Sequence, residues 1–271
     1  MPDLENKVAV VTGASSGMGS ATACALAREG CHVFLTGRDG KRLQEVASSI
    51  KQQGSNATFA AFDLKDSTRL RTFIADAARK QGRLDIMVNA AGVDHPGTVA
   101  DSNEADWRDM FDINVLAMLA GSQAAIHVMR ETKSAGHIVT ISSYAGRGDG
   151  FRVYGATKAA VNSICRSLTM ELEDDQIRAV NIMPGGAIAT NFGRTHPPEF
   201  VNQLLSAFGI PAQYESGDIL PPSTLDALSK SPYFASADDI ARAVVYAVSQ
   251  PQDVSVSEIV VGPRKSFPHV G

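Results

Sequence analysis

Short, nearly unbroken apolar runs separated by longer amphipathic stretches constrain this chain more than any other feature. The runs fall at Val8–Thr12, His32–Thr36, Thr58–Phe62, Asp85–Asn89, His137–Ser142, Arg178–Met183 and Val256–Val261. Continuous apolarity, unlike strict alternation, is what strands covered on both faces require. Between them, Gly17–Glu29, Lys41–Gln53, Ser67–Gln81, Glu104–Glu131, Val153–Glu173 and Asp238–Ser249 carry helical patterns. This alternation predicts an α/β fold with right-handed crossovers: a doubly wound parallel sheet with helices on both faces. A single domain over residues 1–271 accommodates it, because α/β domains commonly run this long undivided. Residues 191–235 break the rhythm with prolines at 197, 198, 211, 221, 222 and 232. The apolar residues there suggest one short helix in a substrate lid, an excursion too short to own a core.

Composition narrows the function classes. Hydrophobic residues make up 44% and charged ones 20%, an ordinary globular balance. A net charge of −4 without Lys/Arg clusters argues against a nucleic-acid partner. No run approaches the roughly 20 apolar residues of a membrane span. The polar segment before Val8 does not resemble a secretory signal. Three cysteines (24, 31 and 165) lack disulfide or metal spacing, which predicts reduced thiols and a cytoplasmic protein. The histidines show no ligand spacing either, so no metal is expected.

Thr12-Gly13-Ala14-Ser15-Ser16-Gly17-Met18-Gly19 joins the first strand to the first helix. Glycines at 13, 17 and 19 permit positive φ and close backbone approach to a pyrophosphate. The helix N-terminus behind them offers free N–H groups and partial positive charge. The spacing is GxxxGxG, distinct from the commoner GxGxxG. At the end of the second strand, NAD-binding folds usually place a carboxylate for the ribose 2′-hydroxyl, whereas arginine accommodates a 2′-phosphate. Here Thr36-Gly37-Arg38 omits the acid and supplies a bidentate donor, which predicts NADP. Asp63-Leu64 and Asn89-Ala90-Ala91-Gly92 end the third and fourth strands, where a bound dinucleotide would lie.

Tyr154-Gly155-Ala156-Thr157-Lys158 opens a long helical pattern and sets phenol and ammonium on one helix face at i, i+4. A fixed cation favours phenolate and makes tyrosine usable as an acid/base. Just upstream, Ile141-Ser142-Ser143 ends the fifth strand, where one hydroxyl is placed to meet a substrate oxygen. Alternation along a strand lets only one of the two serines face the cleft.

Taken in order, TGASSGMG, NAAG, Asn114, ISS, YGATK and PGGAIAT resemble the short-chain dehydrogenase/reductase family, from about Lys7 to Val261. The resemblance implies a Rossmann-type sheet of about seven strands. It also implies NAD(P) binding and a Ser–Tyr–Lys triad extended by an asparagine. On matching positions, Tyr154 handles the proton while Lys158 lowers its pKa and binds the nicotinamide ribose. Ser143 orients the carbonyl, and Asn114 supports a proton relay. Pro184, Gly185, Ile188 and Thr190 match the segment that contacts the carboxamide. The chain departs from the family in a shorter loop from Ser143 to Tyr154 and a longer Pro184–Thr190 segment. Its C-terminus also lacks the usual glycine-rich ending. His95, Phe151, Arg152 and Met183 neighbour these segments and are candidate substrate contacts.

The expected activity is NADP(H)-dependent hydride transfer between nicotinamide and a small ketone or secondary alcohol. An epimerase or lyase on the same fold and a non-catalytic NADP-binding regulator remain as alternatives. The resemblance further implies a homodimer or homotetramer, with helices 104–131 and 153–173 packing on symmetry mates through Leu116, Met118, Leu119, Val161, Ile164 and Leu168.

Overall fold

The computed structural model describes residues 4–148, 152–185, 187–190, 196–210, 214–215 and 220–265, with backbone alone at 187–189. The order begins β1 (Val8–Thr12), α1 (Gly17–Arg28), β2 (His32–Gly37), α2 (Gly40–Gln52), β3 (Ala57–Ala61), α3 (Ser67–Gln81) and β4 (Ile86–Asn89). Next come α4 (Glu104–Phe111), a π turn (Asp112–Leu116), α5 (Ala117–Glu131), β5 (His137–Ile141), a 3₁₀ turn (Tyr144–Arg147), α6 (Arg152–Glu171) and β6 (Arg178–Pro184). Then follow β7 (Ala187–Ala189), α7 (Pro198–Ala207), α8 (Pro222–Lys230), β8 (Phe234–Ser236), α9 (Ala237–Val248) and β9 (Glu258–Val261).

The main sheet has seven strands in the order β3-β2-β1-β4-β5-β6-β9, every neighbouring pair parallel. The chain winds outward one way from β1 and the other way from β4. The carboxyl ends of these two strands therefore open a crevice at the reversal point. Alternating residues of each strand feed two layers. Ala9 and Val11 pack with Leu26 of α1, Leu43 of α2 and Val244 of α9. Val8 and Val10 pack with Ile74 of α3 and Met129 of α5 on the opposite face. At about 1.5–3 kcal/mol per fully buried large aliphatic side chain, this two-sided burial is the main term holding the crevice open and fixed.

Four features differ from the pattern expected of the sequence. β3 is an edge strand and leaves Phe59 exposed, so coverage on both faces fails there. Residues 104–131 are helical throughout but not uniformly α: the π turn at 112–116 interrupts them. That helix is long and apolar enough to cross a membrane by length and composition, yet Met110, Ala120, Ala125 and Met129 lie buried within the fold. A core helix satisfies the same composition.

Among the described residues, the excursion before α9 holds two helices, α7 and α8, instead of one. It also owns a small core of Val201, Leu205, Tyr214, Leu220, Leu228 and Phe234. β7 and β8 pair in parallel at its two ends, with Ile188 opposite Ala235. Finally, of the apolar residues expected to face a symmetry mate, Met118, Val161 and Leu168 are buried in the chain's own fold and Ile164 partly so. Leu116 and Leu119 are exposed at 56% and 38%, and Phe111 joins them at 40%.

Candidate active site

The cleft at the reversal point has a volume of about 360 Å³. Its floor is the β1–α1 turn, where Gly13 takes φ +65° and a Cβ added to it would lie 2.8 Å from Ala91 Cα. Gly19 is as constrained, since a Cβ there would strike the Gly13 carbonyl. Thr12 fixes this approach from below: its hydroxyl accepts from the Ala90 and Ala91 N–H groups (3.1 and 3.3 Å) and donates to the Val88 carbonyl. Helix α1 begins behind Ser16 with no side-chain cap and no acidic residue in its first turn. Its N-terminal N–H groups thus meet an anion's needs. A closely approached backbone and an open helix terminus fit a dinucleotide pyrophosphate.

Ser15, Ser16, Gly17, Met18, Gly37, Arg38, Asp63, Leu64, Ala90, Ala91, Gly92 and Thr190 all line the cleft with Gly13 and Gly19. A Cβ at Gly37 would sit 3.3 Å from Ser15 Oγ, so a carboxylate-bearing side chain there would crowd the glycine turn. Asp39, beside Arg38, faces its own helix: its carboxylate accepts from Arg42 N–H (3.1 Å) and pairs with Arg42 Nε (3.2 Å). That pairing brings Arg42 into the cleft wall beside Arg38, a cation missed in the sequence although it lies at i+4. Asn89 differs from its neighbours. Its side chain is buried and donates to Ser122 Oγ of α5 at 3.0 Å, serving the joint between sheet and helix.

The Ser–Tyr–Lys group lies beyond this cleft wall, at the ends of β5 and α6. The two adjacent serines have separate environments. Ser142 is buried and donates to Asn181 Oδ1 at 2.5 Å. Asn181 donates to Asn162 Oδ1 (3.1 Å), and Asn162 donates to the Ser143 carbonyl (3.2 Å). Ser142 thus anchors its neighbour's backbone from behind. Ser143 is half-buried; its hydroxyl caps the 3₁₀ turn by accepting from Ala145 N–H (3.1 Å) and lies near enough to the Tyr154 phenol to draw its pKa down.

Lys158 is 3% exposed, and its Nζ lies 5.7 Å from the centre of the Tyr154 ring. Burial lowers its pKa to about 8, against the raising influence of Cys165 and Asp94. Tyr154 behaves unlike the sequence expectation: burial pushes its phenol above the ordinary range, Ser143 works the other way, and Asp94 adds to the rise. A desolvated phenol with a nearby carboxylate holds its proton. In this form of the protein the phenol is set up as a donor.

Asn114 sits in the π turn and reaches across to the end of β4. It accepts from Val93 N–H at 2.8 Å, donates to the Val93 carbonyl at 2.9 Å, and donates to Thr157 Oγ1 at 3.0 Å. Thr157 donates in turn to the Tyr154 carbonyl at 2.7 Å. π turns inside α-helices often mark functional sites, and this one joins the cleft wall to α6. Pro184 ends β6, and Gly185 N–H donates to the Val261 carbonyl at 2.8 Å. The Ile188 side chain and Phe151 lie outside the described residues. Met183 is fully buried in the sheet. His95 binds Asp109 (2.8 Å), which also pairs with Lys65 (2.6 Å). Arg152 is exposed at the start of α6.

Residues 7–199 match the short chain dehydrogenase family. An uncharacterized oxidoreductase of Listeria monocytogenes is 34% identical over 264 residues, covering 96% of this chain and 97% of that one. Among solved structures, an alcohol dehydrogenase from the archaeon Thermococcus sibiricus, complexed with 5-hydroxy-NADP, superposes with a TM-score of 0.77. It is 25% identical and covers 97% of this chain and 99% of its own. A metagenomic short-chain oxidoreductase in complex with NADP gives a TM-score of 0.75 at 29% identity, over 96% and 98%.

Proposed function

The chain belongs to the short-chain dehydrogenase family of oxidoreductases, and we propose that it moves hydride between NADP(H) and a ketone or secondary alcohol, with Tyr154 as general acid/base. The observation that carries this reading is the buried Lys158 ammonium 5.7 Å from the centre of the Tyr154 ring, with Ser143 near enough to the phenol to pull its pKa down. When bound, the nicotinamide supplies or accepts the hydride. Tyr154 delivers a proton to the developing alkoxide, and Ser143 holds the carbonyl oxygen against it. Lys158 provides the neighbouring positive charge, while Asn114 fixes the catalytic helix to the cleft wall through Thr157 and Val93.

Preference for NADP over NAD rests on Arg38 and Arg42 at a β2 end without a carboxylate, and two solved relatives carry NADP or its 5-hydroxy derivative. The glycine turn and the α1 terminus hold the pyrophosphate; Asp63, Leu64, Ala90 and Gly92 flank the nucleoside; Pro184, Gly185, Ile188 and Thr190 receive the carboxamide end. Three unpaired cysteines fit a reducing cytoplasm. Exposed Phe111, Leu116 and Leu119 support a homo-oligomer through α4 and α5; a monomeric mass by light scattering at micromolar concentration overturns it.

The experiment is NADPH oxidation at 340 nm with a panel of ketones and aldehydes. Turnover of at least one member is expected. A protein that binds NADPH but oxidises it with none contradicts the proposal and favours chemistry without net redox change.

A further inference from the structure

Two departures from the family pattern, the shorter loop after Ser143 and the C-terminal strand that lacks a glycine-rich ending, meet in the fold. Glu258 opens β9 and lies in register with Asn181 of β6, the acceptor for the Ser142 hydroxyl. Residues paired across a sheet present their side chains to one face, and α6 covers that face here. Glu258 Oε2 accepts from Arg147 Nη2, at the last residue of the 3₁₀ turn. Glu258 Oε1 is buried without a hydrogen bond among the described residues, and Arg166 Nη1 of α6 lies 4.0 Å from it. One carboxylate thus meets a guanidinium from the turn and another from the helix that carries Lys158.

Ser143 depends on this turn. Its hydroxyl is held by Ala145 N–H at 3.1 Å, and Gly146 N–H closes the turn on its carbonyl at 3.3 Å. The turn also lies directly on the backbone of α6. A Cβ added at Gly146 would stand 2.4 Å from the Lys158 carbonyl carbon and 2.5 Å from Asn162 Nδ2. Asn162 secures the start of the turn through the Ser143 carbonyl, and Arg147 secures its end through Glu258. The Arg147 and Glu258 side chains are 37% and 28% exposed, so their pairing adds little to global stability; its effect is local. A turn free to lift at Gly146 would carry Ser143 away from Lys158, and a misplacement of roughly 1 Å can cost about 10²-fold in rate. We propose that Glu258 is a positioning residue: through Arg147 it clamps the 144–147 turn onto α6 and so sets Ser143 against Lys158. This rests on the oxidoreductase reading of the same site.

The test is a double-mutant cycle on the full chain: Arg147→Ala, Glu258→Ala and both together, with Arg147→Lys as the conservative variant. Hydrogen exchange followed by mass spectrometry reads the turn independently of activity. The value of kcat, taken with the best carbonyl compound of the panel at saturating NADPH, reads the chemistry. Each single loss should speed amide exchange in the turn by about tenfold. Each should also lower kcat by about 5–20-fold, with NADPH affinity kept within about twofold. The melting midpoint should stay within about 3 °C of the wild type, as for other partly exposed ion pairs. The double variant should be no worse than either single one, because both residues act through one contact. Arg147→Lys, which keeps a cation for Glu258, should lose less than Arg147→Ala. Unchanged exchange refutes the clamp, and additive losses of kcat refute its action through the pair. Faster exchange at wild-type kcat would make the pair a structural tie and overturn the positioning role, as would a fall in kcat matched by lost stability and weaker NADPH binding. The two readings fail separately: a wild type that oxidises NADPH with no carbonyl compound sinks the oxidoreductase reading, while exchange still decides whether the clamp exists.

Discussion

Around Gly13 the cleft wall is backbone laid on backbone, whereas around His196 it is side chain laid on side chain. In the first region, β1, α1 and the end of β4 meet so closely that a single Cβ has no room, and Thr12 ties the strands together. In the second, a small separate core under α7 and α8 carries one histidine onto one aspartate. A wall of main chain recognises what every dinucleotide shares, its pyrophosphate. A roof of side chains can be altered residue by residue without disturbing the sheet. Cofactor binding should therefore be brittle and substrate preference tunable.

The sharpest break of that comparison is Gly13→Val. It combines positive φ with a Cβ 2.8 Å from Ala91, and backbone strain alone costs about 1–3 kcal/mol. Thermal melting should show both a lower midpoint and no upward shift on adding NADPH. A variant that still gains stability from NADPH as the wild type does would refute the close-packed floor.

Next in size is the division of labour between the serines. Ser143→Ala should lower kcat by about 10²–10³-fold, as expected for loss of a donor to developing negative charge. Ser142→Ala should retain kcat within several-fold while losing about 1–3 kcal/mol of stability, because it strands the Asn181 acceptor. The reverse ranking, measured under saturating NADPH, would exchange their roles.

Lys158 yields a pH prediction with a definite sign. Its folded-state pKa of about 8 lies below the ordinary lysine value, so its charged form opposes folding at neutral pH. That cost falls as pH rises from about 8 toward the unfolded value near 10.4. Relative to wild type, Lys158→Met should be about 2–3 kcal/mol more stable in urea at pH 7, with the gap narrowing by pH 9.5. A variant less stable than wild type at pH 7 would mean the ammonium is well solvated.

The smallest expected change is at the adenosine end. Arg38→Ala should weaken NADPH binding by about 10–100-fold and leave NADH nearly untouched. Arg42 shares its charge with Asp39, so Arg42→Ala should show the same selectivity to a lesser degree. Equal losses for both nucleotides would show that neither guanidinium meets a 2′-phosphate.

How far the sequence could be read follows the same division. The strands were legible because burial on both faces forces continuous apolar runs, and β3 slipped where it lies at an edge. The glycine turn was legible because few residues can replace glycine at positive φ. Strand alternation said only that one of Ser142 and Ser143 faces the cleft, and the family resemblance selected Ser143; the polar chain through Asn181 and Asn162, which holds the Ser142 hydroxyl in the interior, left no local mark in the sequence. The π turn left no trace in the helical pattern: one extra backbone residue per turn does not alter which side chains are apolar. Asp94 and His196 were invisible as a pair because 102 residues of sequence separate them, and nothing local couples them. The excursion's own core was underestimated since its apolar residues follow no single period and assemble only when α7, α8 and β8 meet.

The claim that the rest depends on is that Tyr154 carries the proton. Single-turnover kinetics of Tyr154→Phe with saturating NADPH, beside an independent NADPH titration, test it most directly. The ring stays and only the hydroxyl goes, so cofactor affinity should be preserved while the chemical step falls by about 10²–10⁴-fold. A variant that binds NADPH normally and keeps more than about a tenth of the wild-type rate would contradict the account, because acid–base groups in that role contribute far more.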